Sequence, residues 1–260
     1  MGKRLFGLIA AAIVATAVQA QAQAPAANRL DGILAKQEIR VGTTGDYKPF
    51  TYLNPETKAF EGIDIDMAEA MGKALGVKVT FVKTSWPNLA KDFQADAFDI
   101  AVGGVSINTD RAKLGFFSLA YNRDGKAAIA RCADKGKFTS LAAIDQPTTR
   151  VVVNPGGTNQ RFAVANLKQA PITVYEDNVT IFDQIVQNKA DVMITDGIET
   201  LLQQKLRPSL CALNADKPFD FSEKGYWMPR DIVLKEWVDT WLHAALNNGT
   251  YAAIWKKHLE

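Results

Sequence analysis

Asp196 and Glu199 stand three residues apart just past a segment, 191–195, that reads as a strand. At the start of a helix this spacing puts both carboxylates on one side of the N-terminus. Two readings follow. One is a pair of acids placed favourably in a first turn, where the helix dipole welcomes negative charge; spacing alone favours it. The other is a site in which one acid binds or orients a ligand and the second is held protonated, because apolar enclosure and a neighbouring negative charge both raise a carboxyl pKa. Elsewhere, Gly156-Gly157-Thr158-Asn159 opens another predicted helix. Free N–H groups there attract an anion, although a plain strand-to-helix turn explains the glycines equally well. No Gly-Lys-Ser/Thr follows, which excludes a nucleotide P-loop. Arg111 offers a two-pronged grip on a carboxylate. Tyr47, Trp86 and Phe50 offer flat apolar walls, or simply core packing.

The elements that must position these groups alternate. Residues 39–43 read as a strand, 63–75 as a helix stopped by Gly76, 77–82 as a strand, and 86–95 as a short helix. A strand over 98–102 ends in Gly103-Gly104, ahead of Ser106, and Asn108-Thr109 caps a turn holding Asp110 and Arg111. The rhythm resumes with strand 151–154, a helix to 167, strand 172–175, helix 179–187, strand 191–195 and helix 198–206. Two helices, 233–246 and 251–258, close the chain. This alternation predicts an α/β protein with mostly parallel sheets. Less regular stretches, 116–131 and 208–225, join the two runs. The expected organisation is two lobes linked twice, with residues 27–119 and 224–260 forming lobe 1 and 120–223 inserted as lobe 2. Tyr47, Trp86, Ser106, Arg111, Asn154, Thr158 and Asp196 all fall near carboxyl ends of predicted strands, where such sheets hold ligands.

Composition narrows the function. The chain has 260 residues, 47% hydrophobic and 22% charged, enough for a real core. Lys+Arg is 30 against 28 Asp+Glu, a net charge of +2, too balanced to point to nucleic acid or to a membrane surface. Two histidines, His243 and His258, both near the C-terminus and both in helical patterns, argue against a His-rich metal site or a Ser-His-Asp triad. At the N-terminus Gly2-Lys3-Arg4 precedes an apolar run, 5–18, that ends in Val18-Gln19-Ala20. This predicts a secretory signal peptide, residues 1–20, with further cut positions after Ala22 or Ala24. The run is shorter than a membrane span, so no membrane insertion is expected after cleavage. Export to an oxidising periplasm makes one disulfide, Cys132–Cys211, the expected state of the two cysteines, against two buried thiols.

Residues 41–50, 62–75, 103–111 and 191–196 resemble the polar amino-acid-binding proteins of ABC importers. The resemblance covers nearly all of the expected mature chain and implies the two-lobed, type II periplasmic binding protein fold. In that family the Arg of the segment here reading Ser106-Ile107-Asn108-Thr109-Asp110-Arg111 grips the ligand α-carboxylate. Gly157-Thr158 assists it, and the Asp of the Thr-Asp pair, here Asp196, takes the α-ammonium. A more specific resemblance is to the cyclohexadienyl dehydratases, a catalytic offshoot of those proteins. It rests on Thr43-Thr44-Gly45-Asp46-Tyr47-Lys48-Pro49-Phe50, Thr84-Ser85-Trp86-Pro87-Asn88-Leu89 and Arg123-Asp124-Gly125-Lys126. It extends through Val153-Asn154-Pro155-Gly156-Gly157-Thr158-Asn159, Asp177-Asn178-Val179-Thr180-Ile181-Phe182 and Pro218-Phe219-Asp220-Phe221. Both cysteines fall where that family has its pair, and Gly197 stands where its pattern has Ala.

The resemblance implies loss of water and CO2 from prephenate, giving phenylpyruvate, or from arogenate, giving phenylalanine, without a cofactor or metal. Glu199 then takes the family's general-acid position, kept neutral by its surroundings. Arg111 with the Gly157 and Thr158 N–H groups would bind the side-chain carboxylate, and Asp196 would meet the ammonium of arogenate. Lys126 and Asn154 are candidates for the ring carboxylate or hydroxyl, with the grip on the ring carboxylate weak. Tyr47 and Trp86 would sandwich the ring, and Ser106 joins the binding set. The expected partners are therefore small molecules and not nucleic acid, with self-association left open. The competing expectation is a non-catalytic amino-acid-binding protein of an ABC importer. A periplasmic sensor that presents its ligand to a receptor is a weaker one.

Overall fold

The computed structural model describes residues 28–259, so the expected export segment lies outside the described residues. The first lobe's elements are α1 (Arg29–Lys36), β1 (Glu38–Thr43), β2 (Asp46–Tyr47), β3 (Thr51–Leu53), β4 (Phe60–Glu61) and α2 (Ile63–Leu75). They continue with β5 (Lys78–Lys83), α3 (Leu89–Gln94), β6 (Ile100–Ala101), α4 (Thr109–Ala112) and β7 (Phe116–Phe117). After β8 (Asn122–Asp124) come β9 (Lys126–Arg131), α5 (Leu141–Ile144), β10 (Val151–Val153), α6 (Thr158–Asn166), β11 (Ile172–Val174) and α7 (Ile181–Val186). The chain then runs through β12 (Val192–Asp196), α8 (Gly197–Leu206), β13 (Leu210–Leu213), β14 (Ser222–Lys224), β15 (Trp227–Met228), α9 (Ile232–Asn247) and α10 (Thr250–Leu259).

Local chemistry accounts for several boundaries. Asn108 caps α4 by accepting the Arg111 N–H at 2.9 Å, and Gly76 ends α2 in the left-handed region. Asp231 caps α9 through the Leu234 N–H. The strands of each sheet are apolar on both faces because helices cover both sides. Ile39 and Val41 of β1 share a cluster with Met67 and Met71 of α2 and Leu234, Val238 and Leu242 of α9. The second lobe has Val151, Val153, Val192 and Ile194 on one side of its sheet and Val152, Met193, Phe182 and Ile185 on the other. His258, on α10, pairs with Asp66 of α2 at 2.8 Å, a contact between helix faces.

Each lobe holds a five-stranded sheet, in the orders β5-β1-β6-β15-β7 and β11-β10-β12-β9-β13. β1 is parallel to β5 and β6, and β10 to β11 and β12. The remaining pairs are antiparallel: β15 with β6 and β7, β9 with β12 and β13. The sheets are thus mixed, more so than the sequence suggests. β9 and β13 lie inside stretches that read as irregular joins. β9 is Lys-Ala-Ala-Ile-Ala-Arg, an alanine-rich run of weak strand propensity that the sheet on both flanks enforces. β8 and β14 pair as a two-stranded ribbon where the chain passes between the sheets. Cys132 and Cys211 are disulfide-bonded, with Cα atoms 4.8 Å apart, tying the end of β9 to the edge strand β13.

Candidate active site

Strand order reverses about β1 in one sheet and about β10 in the other, and ligands settle in the crevice outside the carboxyl ends of the strands at such reversals. The two crevices face each other. Tyr47, Trp86, Gly104 and Ser106 of the first lobe and Asn154, Gly157, Thr158, Asn159, Asn178 and Asp196 of the second line a cleft of about 270 Å³. The lobes are closed on each other here: Asn178 donates to the Asp46 carbonyl at 3.0 Å and the Tyr47 hydroxyl to Asp196 at 2.5 Å. Gly156 makes the closure tight. It sits at φ +73°, and a Cβ there would lie 2.6 Å from the Pro87 backbone of the other lobe.

Arg111 is the first lobe's cation. Its Nη1 donates to the Ser106 carbonyl at 2.8 Å, its own carbonyl accepts the Trp227 indole N–H at 3.1 Å, and its guanidinium lies 5.9 Å from the centre of the Trp86 ring. Among the described residues no carboxylate forms an ion pair with it. Burial pulls its pKa down to about 10, Arg161 adds to that, and the more distant Asp196 offsets it in part. A buried cation with no counter-ion is costly and is a receptor for an anion. Opposite stands the N-terminus of α6, whose N-cap, Gly157, supplies no side chain to satisfy its N–H groups.

The second lobe's acids have separated roles. Asp196 precedes α8 yet does not cap it. Asp124 caps it instead, accepting the Ile198 N–H at 3.0 Å and the Gly125 N–H at 2.8 Å. Gly197 leaves the room, since a Cβ there would lie 2.7 Å from Asp124 Oδ1. Asp196, released from capping, accepts from Lys126 Nζ at 2.7 Å on one oxygen and from Lys224 Nζ at 2.6 Å and the Tyr47 hydroxyl at 2.5 Å on the other. Burial alone would raise its pKa, but the two ammonium groups override it and hold the carboxyl well below the usual range. Glu199 is as deeply buried and has one partner, the Thr195 hydroxyl at 2.5 Å on Oε2. Burial pushes its pKa up to about 8; the Thr195 bond opposes this, and Asp196 and Asp46 add to it.

The predicted site residues therefore converge, with three departures from expectation. Lys126 is not open to a ligand: its three N–H bonds go to Thr158 Oγ1, Asn159 Oδ1 and Asp196 Oδ1. Its place on β9 directly across from Asp196 enforces this. Tyr47 and Trp86 do not form a parallel slot. Their rings meet edge to face, 5.9 Å apart at 75°, and both belong to the first lobe, so parting of the lobes opens no slot between them. Glu199 is not on the wall of the cavity between the lobes. It lines an adjoining cavity of about 340 Å³ with Asp46, Lys48, Gln203 and Arg207, and Asn178 stands on the walls of both. Asn178 reaches across the lobes to the Asp46 carbonyl at 3.0 Å, and its own carbonyl oxygen is buried without a partner. Asn154 and Ser106 both line the cavity between the lobes, Asn154 held by Asn159 at 2.9 Å and Ser106 Oγ by Lys224 at 2.9 Å.

Sequence reasoning missed Lys224, Asn159, Asn178 and Asp64. Asp64, at the start of α2, accepts the Gly103 and Gly104 N–H groups at 2.7 Å each and the Tyr121 hydroxyl at 2.5 Å. It fixes the turn on which Gly104, at φ +74°, passes so close to Tyr47 that a Cβ would lie 2.4 Å from its ring. The polar residues of the segments quoted above, Asn159 and Asn178 among them, carried the available signal. Lys224 had none beyond being a lysine between Glu223 and Gly225.

Comparison with known proteins places this geometry. Residues 39–260 match the family of bacterial extracellular solute-binding proteins, family 3. Cyclohexadienyl dehydratase of Pseudomonas aeruginosa is 53% identical over 222 residues, covering 85% of this chain and 82% of that protein. ABC transporter arginine-binding protein 1 of Escherichia coli K12 is 23% identical, covering 86% and 91%. Among solved structures, an ancestral cyclohexadienyl dehydratase, 50% identical, covers 90% of this chain and 97% of its own, with a TM-score of 0.57. An ancestral amino-acid-binding protein, a precursor of cyclohexadienyl dehydratase, is 32% identical over 89% of this chain and 99% of its own, with a TM-score of 0.82. The fold is the two-lobed, type II periplasmic binding protein fold, and the chain belongs to the bacterial extracellular solute-binding proteins, family 3.

Proposed function

We propose that the chain is a dehydratase of the periplasm, a carbon–oxygen lyase that converts prephenate to phenylpyruvate and arogenate to phenylalanine. Residues 27–119 with 224–260 form one lobe and 120–223 the other, closing on the substrate. The observation that carries the reading is Glu199. It is a fully buried carboxyl, raised to about 8, with Oε1 unbonded, in a chain 53% identical to a cyclohexadienyl dehydratase. A plain solute-binding protein has no use for a neutral buried acid beside its ligand cavity.

Arg111 and the N–H groups of Gly157 and Thr158 hold the side-chain carboxylate, which supplies the anion the buried guanidinium lacks. Asn154 orients the ring. Glu199 transfers its proton to the ring hydroxyl as the C–O bond breaks and water leaves. The bond to the ring carboxylate breaks, CO2 departs, and its electron pair completes the aromatic ring. One proton is consumed per turnover, and Glu199 regains it from solvent through the cavity it lines with Asp46 and Gln203. A movement of Asn178, the shared wall, joins that cavity to the one between the lobes. A positioned acid supplies about 10²–10⁴-fold, and lobe closure adds orientation and exclusion of water.

The test is to mix the purified protein with prephenate at neutral pH and follow phenylpyruvate by its absorbance in alkali. Turnover well above the spontaneous rate is expected. Glu199→Gln should lower kcat by about 10²-fold or more with an unchanged melting temperature or a higher one. Near-wild-type turnover by that variant would remove Glu199 from the role. No turnover of prephenate or arogenate by the wild type would return the chain to ligand binding alone.

A further inference from the structure

Asp196 is the residue through which amino-acid-binding relatives are expected to take a ligand's ammonium, and here that place is filled from within. Lys126 occupies Oδ1, and Lys224 together with the Tyr47 hydroxyl occupies Oδ2. Both lysines and Asp196 are almost wholly buried. Lys224 arrives from β14, outside both sheets, and its ammonium also donates to Ser106 Oγ at 2.9 Å and lies 5.4 Å from the centre of the Tyr47 ring. Its three ligand-side neighbours, Tyr47, Ser106 and Asp196, all line the cavity between the lobes.

We propose that Lys224, with Lys126, makes Asp196 an internal counter-ion, so that the site prefers a 2-oxo acid to the corresponding 2-amino acid. This rests on the function proposed above and assigns its substrate class. Asp196, the carboxylate on the cavity wall, is already bonded to Lys126 and Lys224, and Arg111 has no ion-pair carboxylate among the described residues. That surplus suits a substrate with two carboxylates and no ammonium. A ligand ammonium approaching Asp196 would meet two like charges within hydrogen-bond distance of the same oxygens, which is how binding sites reject a wrong partner. A 2-oxo group carries no such charge and needs no acceptor. Lys224 has two oxygen acceptors for three N–H bonds, so the cluster has donor capacity left on that side.

Phenylpyruvate and L-phenylalanine differ at this position alone, and calorimetric titration of the full protein with each reads the preference directly. Wild-type protein is expected to bind phenylpyruvate at least roughly tenfold more tightly; any smaller ratio, or a preference for the amino acid, overturns the proposal. Lys224→Met removes one ammonium from Asp196 and should shrink the ratio by roughly tenfold while circular dichroism stays unchanged. A folded variant that keeps the wild-type ratio also overturns it. If the variant does not fold, the wild-type ratio decides. Turnover separates the two levels: a wild type that dehydrates prephenate but binds both probes equally refutes only this inference, whereas one that turns over nothing and binds neither probe refutes the dehydratase reading and this inference with it.

Discussion

Arg40 and Asp99 in the first lobe occupy the same places as Arg150 and Asp191 in the second. Each Asp directly precedes a central strand, β6 or β12, and each Arg directly precedes the residue paired with that strand's first position, Val41 with Ile100 and Val151 with Val192. In both, the Arg backbone N–H donates to one carboxylate oxygen, at 2.8 and 2.9 Å, and Nη2 to the other, at 2.8 and 2.7 Å. A second arginine completes each cluster, Arg29 on Asp99 and Arg131 on Asp191, both at 2.9 Å. The carboxyl ends of the same strands share nothing comparable. The first lobe ends in a two-glycine turn, an unpaired arginine and aromatic rings. The second ends in a helix N-terminus and two buried acids. Where only sheet closure is required, one solution serves twice; where the strand ends face the cavity between the lobes, the two halves differ.

This contrast assigns each cluster a separable effect. Removing the carboxyl-end cation should damage function alone. Arg111→Met is expected to lower kcat/KM for prephenate by about 10²–10³-fold while leaving the melting temperature unchanged or raised, since a buried charge without a counter-ion disappears. A large loss of stability with activity retained in the folded fraction would make Arg111 a structural residue and erase the contrast.

At the amino ends the reverse is expected. Replacing both cysteines by serine frees the edge strand β13 and should cost about 2–4 kcal/mol of unfolding free energy, with kcat/KM changed by less than about twofold. Asp191→Asn and Asp99→Asn should each cost about 1–2 kcal/mol, the smaller end being expected because Arg150 and Arg40 are partly in solvent. The two losses should agree within about 1 kcal/mol. Chemical denaturation of the pair measures this, and unequal losses would show that the matching geometry carries unequal energy.

The amino-end repeat and the strand-end ligand groups were not equally legible. Strands β1, β10 and β12 and helices α2 and α9 follow from apolar spacing and punctuation, because local patterns specify them. The site's contributors from the first lobe, Tyr47, Trp86, Ser106 and Arg111, stand beside such punctuation and could be read. Lys224 could not. Its partner Asp196 lies 28 residues earlier in the chain, and only the ribbon of β8 and β14 brings them together. Lys126 was read as a ligand group and its bond to Asp196 was not foreseen, because β9 is alanine-rich and its pairing opposite Asp196 is decided by the sheet. The cavity wall formed by Asn178 depends on how the lobes close, which no single segment encodes.

The smallest effect tests the contrast by its sign with pH. Asp191 is held well below its ordinary pKa, first by the Arg150 hydrogen bonds, so its contribution is present above the unfolded pKa and is lost as pH falls. Glu199 is raised by burial from 4.5 to about 8. The folded state then keeps a proton that the unfolded state releases, and stability declines as pH rises from about 4.5 to about 8. The slope reaches at most about 1.4 kcal/mol per pH unit. Glu199→Gln cannot titrate, so its unfolding free energy should fall less than that of the wild type across this window. The difference between the two curves isolates Glu199 from Asp64, which is raised to about 6 by burial and titrates in both proteins. Asp191→Asn should instead differ from the wild type mainly by a constant above pH 5 and converge with it in acid. Wild-type kcat, which needs the protonated acid, should fall as pH passes about 8. Parallel stability curves for wild type and Glu199→Gln between pH 5 and 8 would mean that Glu199 is ionised in the folded protein, and the acid would have to be sought elsewhere on the cavity wall.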